Sequence, residues 1–298
     1  MKVLITGISG MLGVDLYMTL GEEYEVVGLD IKDFPSTSLP LPSLHKVDIT
    51  DGHGLRKLFR QLASDFVIHT AAYTDVDGCE ENPDRARMVN ARGTRNIALI
   101  CQKKNIPLVY VSTDFVFDGK KNCPYTELDE PHPLNVYGKS KLAGENYVRS
   151  LAERYFIVRT SWLYGRYGKN FVETILKLAE EKEELTVVDD QVGSPTYTKD
   201  LAQEIKKLLS SSSYGIYHIT NSGSCSWYEF AKEMLKLAPI RGIKVKPIAS
   251  KELNRPAPRP QFSVLNSSSY RPGDENTMRS WKEALREYIK RDRRHESN

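Results

Sequence analysis

The sequence predicts an α/β protein with a doubly wound parallel sheet and a smaller C-terminal lobe. Short apolar runs recur through the first 160 residues, helix-like segments separate them, and a glycine-rich loop follows the first run. Strands that alternate with helices in this way form a parallel sheet with helices on both faces. Such a sheet collects its ligands beyond the carboxyl ends of its strands, so a binding site is expected there.

The periodicity of the apolar residues predicts the elements in order. Strands are predicted at the apolar runs 3–5, 25–29, 66–69, 108–111 and 156–159. Apolar residues spaced by three and four predict helices over 10–20, 52–62, 85–103 and 135–154. After residue 160 the pattern loosens, and helices are predicted over 171–184, 200–210, 227–237 and 280–291.

These elements divide the chain into two parts. Residues 1–160 are predicted to form the sheet domain and residues 161–298 the smaller lobe, with the chain free to cross between them. The basic stretch 290–294 is interpreted as a solvated terminus.

The composition is that of an ordinary globular protein and argues against several classes of function. Of the 298 residues, 40% are hydrophobic and 27% are charged, and a net charge of +3 gives no reason to expect nucleic acid as a partner. No apolar stretch approaches the ~18 residues of a membrane span, so no membrane is expected. The 4 cysteines lie far apart without a C-x-x-C pair, which indicates a reduced, cytoplasmic chain.

A glycine-rich loop directly after the first strand predicts a dinucleotide site of the Rossmann type. Gly7, Gly10 and Gly13 form a G-x-x-G-x-x-G pattern that opens a helix. Glycine lets a pyrophosphate approach the backbone, and the helix N-terminus offers free N–H donors and a positive dipole end. Asp30 ends the second strand, where an acidic residue commonly accepts from the adenosine ribose. The sheet domain is therefore expected to bind NAD(P).

The choice between NADH and NADPH depends on two side chains. The Asp30 carboxylate repels a 2′-phosphate and favours NADH, whereas Lys32 either offsets that repulsion or is a plain surface lysine. The cofactor is therefore predicted to be NADH, with NADPH tolerated. The remaining predicted contacts lie on the glycine loop and at later strand ends: Ser9, Met11, Leu12, Asp48, Ile49, Ala71, Ala72 and Tyr73.

Tyr137 and Lys141 supply the candidate chemistry. Four residues apart on a predicted helix, they share one face, so the ammonium is expected to lie close enough to bias the phenol. A free tyrosine has a pKa of ~10, and a neighbouring cation lowers that pKa towards neutral pH. Thr113 follows the strand at 108–111, where its hydroxyl can polarise a substrate carbonyl.

Several motifs together resemble the extended short-chain dehydrogenases/reductases. They are the glycine loop, Asn90 in an N-x-x-G-T stretch, Ser112-Thr113, and the Tyr137-x-x-x-Lys141 pair. Within that family, the blocks at 112–119, 133–141, 159–165, 190–196 and 255–260 are similar to those of the dTDP-4-dehydrorhamnose reductases. The likeness covers nearly the whole chain.

This resemblance implies a reaction and a role for each matching residue. Hydride would pass from NADH or NADPH to the C4 ketone of dTDP-4-dehydro-6-deoxy-L-mannose, which gives dTDP-L-rhamnose. Tyr137 would protonate the forming alkoxide, Lys141 would lower the pKa of the tyrosine and bind the nicotinamide ribose, and Thr113 would orient the carbonyl. The implied partner is a dTDP-sugar, and a homodimer is one option for the assembly.

The resemblance also implies that the smaller lobe binds the substrate. Asp114 and Trp162 would line the sugar pocket, although Trp162 also fits a core tryptophan. Arg255 and Arg259 would clamp the diphosphate, or else they are surface arginines in a proline-stiffened loop. Asn90, counted among the cofactor contacts, would hold a water or a helix carbonyl for proton relay, or simply pack.

Other functions share parts of this pattern. A nucleotide-sugar 4,6-dehydratase is disfavoured because Phe115 stands where that class carries an acid. A nucleotide-sugar 4-epimerase uses the same tyrosine and lysine and stays open. A non-catalytic subunit similar to the regulatory subunit of methionine adenosyltransferase is disfavoured by Trp162, which stands in the reductase form. No metal is predicted, since Asp15 and Asp200 fit ordinary carboxylates or caps as well as a metal-bridged contact between subunits.

Overall fold

The structure, a computed structural model, describes residues 1–35, 40–266 and 278–291. Within these ranges the strands are β1 (Lys2–Thr6), β2 (Glu25–Asp30), β3 (Ser43–Lys46), β4 (Phe66–His69), β5 (Leu108–Thr113), β6 (Tyr155–Thr160), β7 (Leu163–Tyr164), β8 (Glu184–Val188), β9 (Val192–Gly193), β10 (Thr196–Tyr197), β11 (Gly215–His218), β12 (Cys225–Ser226) and β13 (Lys244–Ile248). The α-helices are α1 (Met11–Leu20), α2 (Gly52–Gln61), α3 (Val76–Glu81), α4 (Pro83–Ala86), α5 (Thr94–Lys104), α6 (Val136–Leu151), α7 (Phe171–Glu181), α8 (Thr198–Leu208), α9 (Trp227–Leu237) and α10 (Trp281–Arg291). The predicted solvated terminus at 290–294 lies outside the described residues from residue 292 onward.

The predicted parallel sheet is confirmed. Its seven strands run in the spatial order β11-β6-β5-β4-β1-β2-β3, and every neighbouring pair is parallel. Successive side chains of a strand point to opposite faces. In β1, Val3 and Ile5 pack in the core that contains α1 and α8, whereas Leu4 packs in the core that contains α2 and α5. A strand buried on both faces explains why β1 is apolar throughout.

The topology places a crevice between β1 and β4. The chain runs from β1 outward through β2 to β3, and then returns to form β4 on the other side of β1. The strand order therefore reverses between these two neighbours. In open α/β sheets the loops at such a reversal diverge, which leaves room for a ligand beyond the carboxyl ends of the strands.

The helix predicted over 85–103 is interrupted. It consists of α4, a π-helical stretch at Arg87–Gly93, and α5. A π-helical stretch adds a residue to the turn and is common at functional sites. Asn90 lies inside it and is fully buried.

The smaller lobe has its own apolar core, in which α7, α9 and α10 pack with β8. Strand β8 pairs in parallel with β13. The chain also returns to the sheet, because α8 packs against α1 and β11 extends the sheet edge beside β6. The predicted boundary at residue 160 coincides with the end of β6. The division of the chain into two domains at this residue stays a prediction. Among the described helices, none has the length and apolar character that crossing a membrane requires.

Candidate active site

The glycine loop after β1 lies directly against the loop after β4. Gly7 has a φ of +72°, and a Cβ added to it would lie 2.7 Å from the backbone nitrogen of Ala71. Only glycine combines that backbone conformation with so close an approach. The predicted contacts at both strand ends, including Ala72 and Tyr73, are thereby brought to the two sides of the crevice.

The N-terminus of α1 points its free donors into the same crevice. Gly10 is the N-cap, and within the described part of the chain no side chain caps this end and no acidic residue lies in its first turn. The N–H groups of the first turn and the positive end of the helix dipole are therefore available to an anion. This cradle fits the pyrophosphate of a dinucleotide.

Asp30 closes the crevice at the end of β2. Its Oδ2 accepts from the backbone N–H of Ser9 at 3.0 Å and its Oδ1 accepts from that of Lys32 at 2.9 Å. The carboxylate is thus held beside the glycine loop, while the Lys32 side chain is exposed. Asp48 lies further out and is exposed, whereas Ile49 is buried.

Asn90 joins the cofactor crevice to helix α6. Its side-chain oxygen accepts from the backbone N–H of Tyr73 at 2.7 Å, and its nitrogen donates to the Tyr73 carbonyl and to the Ser140 hydroxyl, both at 2.9 Å. These contacts favour a packing role for Asn90, because its side chain joins the loop after β4 to helix α6.

Thr113, Asp114 and Tyr137 come together at the end of β5. The Thr113 hydroxyl donates to Asp114 Oδ1 at 3.0 Å and accepts from the backbone N–H of Phe115 at 3.2 Å, and it lies close enough to the phenol of Tyr137 to influence its pKa. Asn135 caps α6, because its Oδ1 accepts from the N–H of Gly138 at 2.8 Å, and this sets the start of the helix that carries Tyr137. The ring of Phe115 meets the Tyr137 ring edge to face at 5.9 Å.

The direction predicted for the pKa of Tyr137 is wrong. Burial raises the pKa of this phenol, and the Thr113 hydroxyl only partly opposes the rise. The expected cation is turned elsewhere, since Lys141 Nζ donates to the carbonyl of Val111 at 2.8 Å and lies over the ring of Tyr110 at 4.2 Å. The four-residue spacing places both residues on one helix face, but the ammonium is directed to β5.

The pKa of Lys141 is itself shifted strongly from its usual value. Its side chain is buried, and burial lowers the pKa of this lysine to about 7, with the charge of Glu145 opposing the fall. Beneath it, His69 is buried between the hydroxyls of Thr6 and Thr94 at 2.6 and 3.0 Å. Burial and the nearby Lys141 charge lower the pKa of His69 to about 3, so that this imidazole is neutral.

Asp114 is a buried carboxyl with an open position. Its Oδ2 is buried and has no hydrogen-bond partner among the described residues. Burial raises the pKa of Asp114 to about 6, and the hydroxyls of Ser263 and Thr113 oppose the rise. A buried polar atom without a partner is costly, and a ligand hydroxyl would satisfy it.

A buried ion pair supports this strand end from below. Glu145, one turn after Lys141, accepts from Arg159 Nε at 3.0 Å and Nη2 at 2.7 Å, and from the Ser112 hydroxyl at 2.5 Å. Both members of the pair are almost fully buried. His218 completes the group with its Nε2 3.5 Å from Arg159 Nη1, and burial together with the arginine charge lowers the pKa of His218 to about 3.

Trp162 has a strained backbone and is partly covered. Its φ of 48° lies in the left-handed region, which costs a residue with a Cβ roughly 1–2 kcal/mol. The indole stacks in parallel on that of Trp227, with ring centroids 3.4 Å apart. On Gly193, an added Cβ would lie 2.5 Å from the Trp162 indole. A sugar contact would therefore use the part of this half-buried ring that Trp227 does not cover.

The two predicted diphosphate arginines converge on one carboxylate. Arg255 Nη1 and Arg259 Nη2 lie 3.1 and 2.9 Å from Oδ2 of Asp77, which belongs to α3 of the sheet domain. Burial acts to raise the pKa of Asp77, but hydrogen bonds from Arg259, Ala257 and Arg255 outweigh it and hold the pKa below its usual range. The arginines are thus not independent surface side chains.

The two acids considered for a metal bridge have protein partners. Asp15 is buried and accepts from the Thr198 hydroxyl, and Asp200 is paired with Arg279 at 2.7 Å and with Asn221 at 2.8 Å. Across the described ranges, no cluster of His, Cys, Asp or Glu is arranged to hold a metal ion.

Sequence reasoning missed several residues of this site. Asp77, Arg159 and Trp227 come from chain segments that are remote in sequence from the residues they contact. Glu145 alone had a local signal, because it follows Lys141 by four residues on the same helix face.

Comparisons with known proteins find similar sequences over nearly the whole chain. The sequence profile of the family described as RmlD substrate binding domain matches residues 1–294. The spore coat polysaccharide biosynthesis protein SpsK of Bacillus subtilis (strain 168) is 43% identical over 291 residues, which cover 97% of this chain and 96% of that protein. The dTDP-4-keto-6-deoxy-D-glucose reductase of Streptomyces niveus is 36% identical over 284 residues, or 95% of this chain and 94% of that protein.

A solved structure extends the likeness to three dimensions. The crystal structure of a dTDP-4-dehydrorhamnose reductase from Bacillus anthracis in complex with NADP is 42% identical, has a TM-score of 0.89, and is matched over 96% of this chain and 98% of that chain.

Proposed function

The chain belongs to the RmlD substrate binding domain family, and from this premise we propose that it is a reductase of a dTDP-4-keto-6-deoxy sugar. We propose NADH or NADPH as the reductant and, as the finer assignment, dTDP-4-dehydro-6-deoxy-L-mannose as the substrate and dTDP-L-rhamnose as the product. The observation that carries the proposal is that the hydroxyls of Thr113 and Tyr137 are neighbours at the end of β5, beside a crevice that fits a dinucleotide. The names of the similar proteins support it.

The crevice binds the cofactor through its backbone. The N-terminus of α1 would hold the pyrophosphate, Asp30 would accept from the adenosine ribose, and the loop after β4 would contact the nicotinamide. Lys141, which keeps further N–H donors beside its bond to the carbonyl of Val111, would bind the nicotinamide ribose. When bound, the reduced nicotinamide supplies a hydride to the C4 carbon of the sugar.

Tyr137 provides the proton. The raised pKa of its phenol keeps the group protonated through the neutral range, and an alkoxide is a far stronger base than a phenolate, so transfer to the C4 oxygen is favourable. Thr113 orients the carbonyl oxygen towards the phenol. The C–O double bond becomes an alcohol with one hydride on carbon and one proton on oxygen, and solvent returns a proton to the tyrosine. Asp114 Oδ2, which is buried without a hydrogen-bond partner among the described residues, would accept from a sugar hydroxyl.

A turnover screen tests the proposal. The chain is incubated with dTDP- and UDP-4-keto-6-deoxy sugars under NADH and NADPH, and loss of nicotinamide absorbance is recorded with the configuration of the product. We expect stoichiometric oxidation of the cofactor with dTDP-4-keto sugars. Interconversion of 4-hydroxyl epimers without net cofactor oxidation would indicate a 4-epimerase, and cofactor binding without any turnover would indicate a non-catalytic partner protein.

Cofactor preference is expected to shift in opposite directions when Asp30 and Lys32 are replaced. Asp30→Ala removes the charge that repels a 2′-phosphate, so the ratio of kcat/KM for NADPH to that for NADH should rise about tenfold. Lys32→Ala removes the exposed cation two residues away and should lower the ratio. Initial rates under each cofactor measure it. An unchanged ratio in both variants would show that neither side chain sets the preference.

Activity is expected to fall as the pH rises through about 7, the pKa to which burial lowers Lys141. Below this pH the ammonium is charged and binds the ribose; above it the charge is lost. Because kcat/KM for the nicotinamide reports the free enzyme, its pH profile should show this decline. For Lys141→Met, kcat/KM for the nicotinamide should be low and should not change with pH across the same range. A wild-type profile that is level from pH 6 to 9 would contradict this role of the lysine.

A further inference from the structure

The segment 254–260, here called the arginine loop, is fastened to the sheet domain beside the catalytic helix. Asp77 Oδ1 accepts from the backbone N–H of Ala257 at 3.2 Å, in addition to the two guanidinium contacts on its Oδ2. Asn135, the N-cap of α6, donates from Nδ2 to the carbonyl of Pro258 at 2.8 Å. The loop therefore meets α3 and the start of α6 together.

Helix α3 also contacts the catalytic helix directly. Glu80, three residues after Asp77, accepts from the backbone N–H of Val136 at 3.0 Å. One short helix thus holds the arginine loop with one carboxylate and the N-terminus of α6 with another. The guanidiniums of Arg255 and Arg259 are in this way fixed relative to Tyr137, which follows Val136.

The charges around Asp77 still favour an anion. Two guanidiniums face the Asp77 carboxylate, so this contact group carries one net positive charge, while the Glu80 carboxylate of the same helix is engaged by the N-terminus of α6. Each guanidinium has five N–H donors. Within the described residues, the contacts of Arg255 use one terminal nitrogen and those of Arg259 use both. Donors therefore remain for the oxygens of a diphosphate, to which arginine is suited.

We propose that Asp77 is a positioning residue for the substrate diphosphate, because it holds Arg255 and Arg259 together at the place where the nucleotide binds. This inference rests on the proposed function. Without the carboxylate, the two guanidiniums repel each other and the loop loses its tie to α3. Asp77 is not a simple competitor for the arginines, because its Oδ1 binds the backbone of the loop, a contact that a diphosphate does not replace.

Binding of dTDP to the isosteric variant Asp77→Asn tests the proposal. Calorimetry on the full chain should give a dissociation constant for dTDP about tenfold above that of the wild type. Thymidine, which lacks the diphosphate, and NADPH should bind as they do to the wild type. In turnover, KM for the nucleotide sugar should rise with kcat nearly unchanged. A dissociation constant for dTDP that is unchanged, or lower because the arginines have been released, would overturn the inference.

Two controls separate positioning from a general loss of structure. Asp84 lies on the neighbouring helix α4, and its exposed carboxylate has Oδ1 3.6 Å from Arg87 Nη1. The control variant Asp84→Asn should leave dTDP binding unchanged. Arg259→Gln should weaken dTDP binding strongly in the wild type and much less in the Asp77→Asn background, since Asp77 acts through that side chain. Additive effects of the two substitutions would overturn the inference.

The outcomes also distinguish this inference from the proposed function. If dTDP binding depends on Asp77 but the wild-type chain reduces no 4-keto sugar, the reductase proposal fails and the role of Asp77 stands. If the chain is an active reductase and Asp77→Asn binds dTDP as the wild type does, the inference fails alone.

Discussion

Replacing Tyr137 by phenylalanine is expected to lower kcat by about 10²–10⁴, the usual contribution of a positioned general acid. The substitution removes only the phenolic oxygen, so the edge-to-face contact with Phe115 and the capped start of α6 are kept. What is lost is the proposed proton donor beside the Thr113 hydroxyl. Because no predicted cofactor contact except this hydroxyl changes, binding of NADH should be affected little.

Single-turnover and steady-state rates, together with a fluorescence titration of NADH, measure this prediction. Tyr147→Phe is the matched control, since Tyr147 lies on the same helix but away from Thr113. Its ring centroid is 5.9 Å from Cζ of Arg95. That variant should be fully active. A Tyr137→Phe enzyme with more than a tenth of the wild-type kcat would show that another group supplies the proton.

Replacing Arg159 by methionine is expected to destabilise the fold by about 3–5 kcal/mol. The arginine is 2% exposed and the Glu145 carboxylate 1%, so the variant leaves a buried carboxylate whose remaining hydrogen bond among the described residues comes from Ser112, with the Lys141 charge nearby. Ser112 precedes Thr113, and Glu145 lies one turn from Lys141. The pair therefore stabilises the strand end and the helix that carry the proposed chemistry.

Denaturant unfolding of the variants measures this cost. Lys246→Met, which breaks an exposed pair with Glu184, should cost less than about 1 kcal/mol. The double variant Arg159→Met with Glu145→Leu should be more stable than Arg159→Met alone, since replacing both buried charges removes the uncompensated one. If Arg159→Met is no more destabilising than Lys246→Met, the pair is not a structural support of the site.

The parts of the fold that were predictable have local causes. A central parallel strand is buried on both faces, so Val3, Leu4 and Ile5 are apolar in succession and the pattern is visible in the sequence. The glycine loop was predictable for a similar reason, because the left-handed backbone at Gly7 restricts the residue type at that one position. Helix spacing likewise placed Tyr137 and Lys141 on one face.

Other features depend on contacts that spacing does not encode. The π-helical stretch around Asn90 keeps an apolar pattern that reads as continuous helix, and its extra residue follows from packing against α6 and the loop after β4. The direction of the Tyr137 pKa was predicted wrongly because Lys141 bonds the carbonyl of Val111, and burial then dominates.

The sequence by itself determined the α/β class, the order of the principal elements and the residue types at the carboxyl ends of the strands. Each of these depends on residues that are close along the chain. The tertiary structure decided which charges face one another: Arg255 and Arg259 with Asp77, Glu145 with Arg159, and Lys141 with the backbone of β5. Electrostatic energy depends on distance and burial in space, and the fold sets both by joining segments as far apart as α3 and the arginine loop.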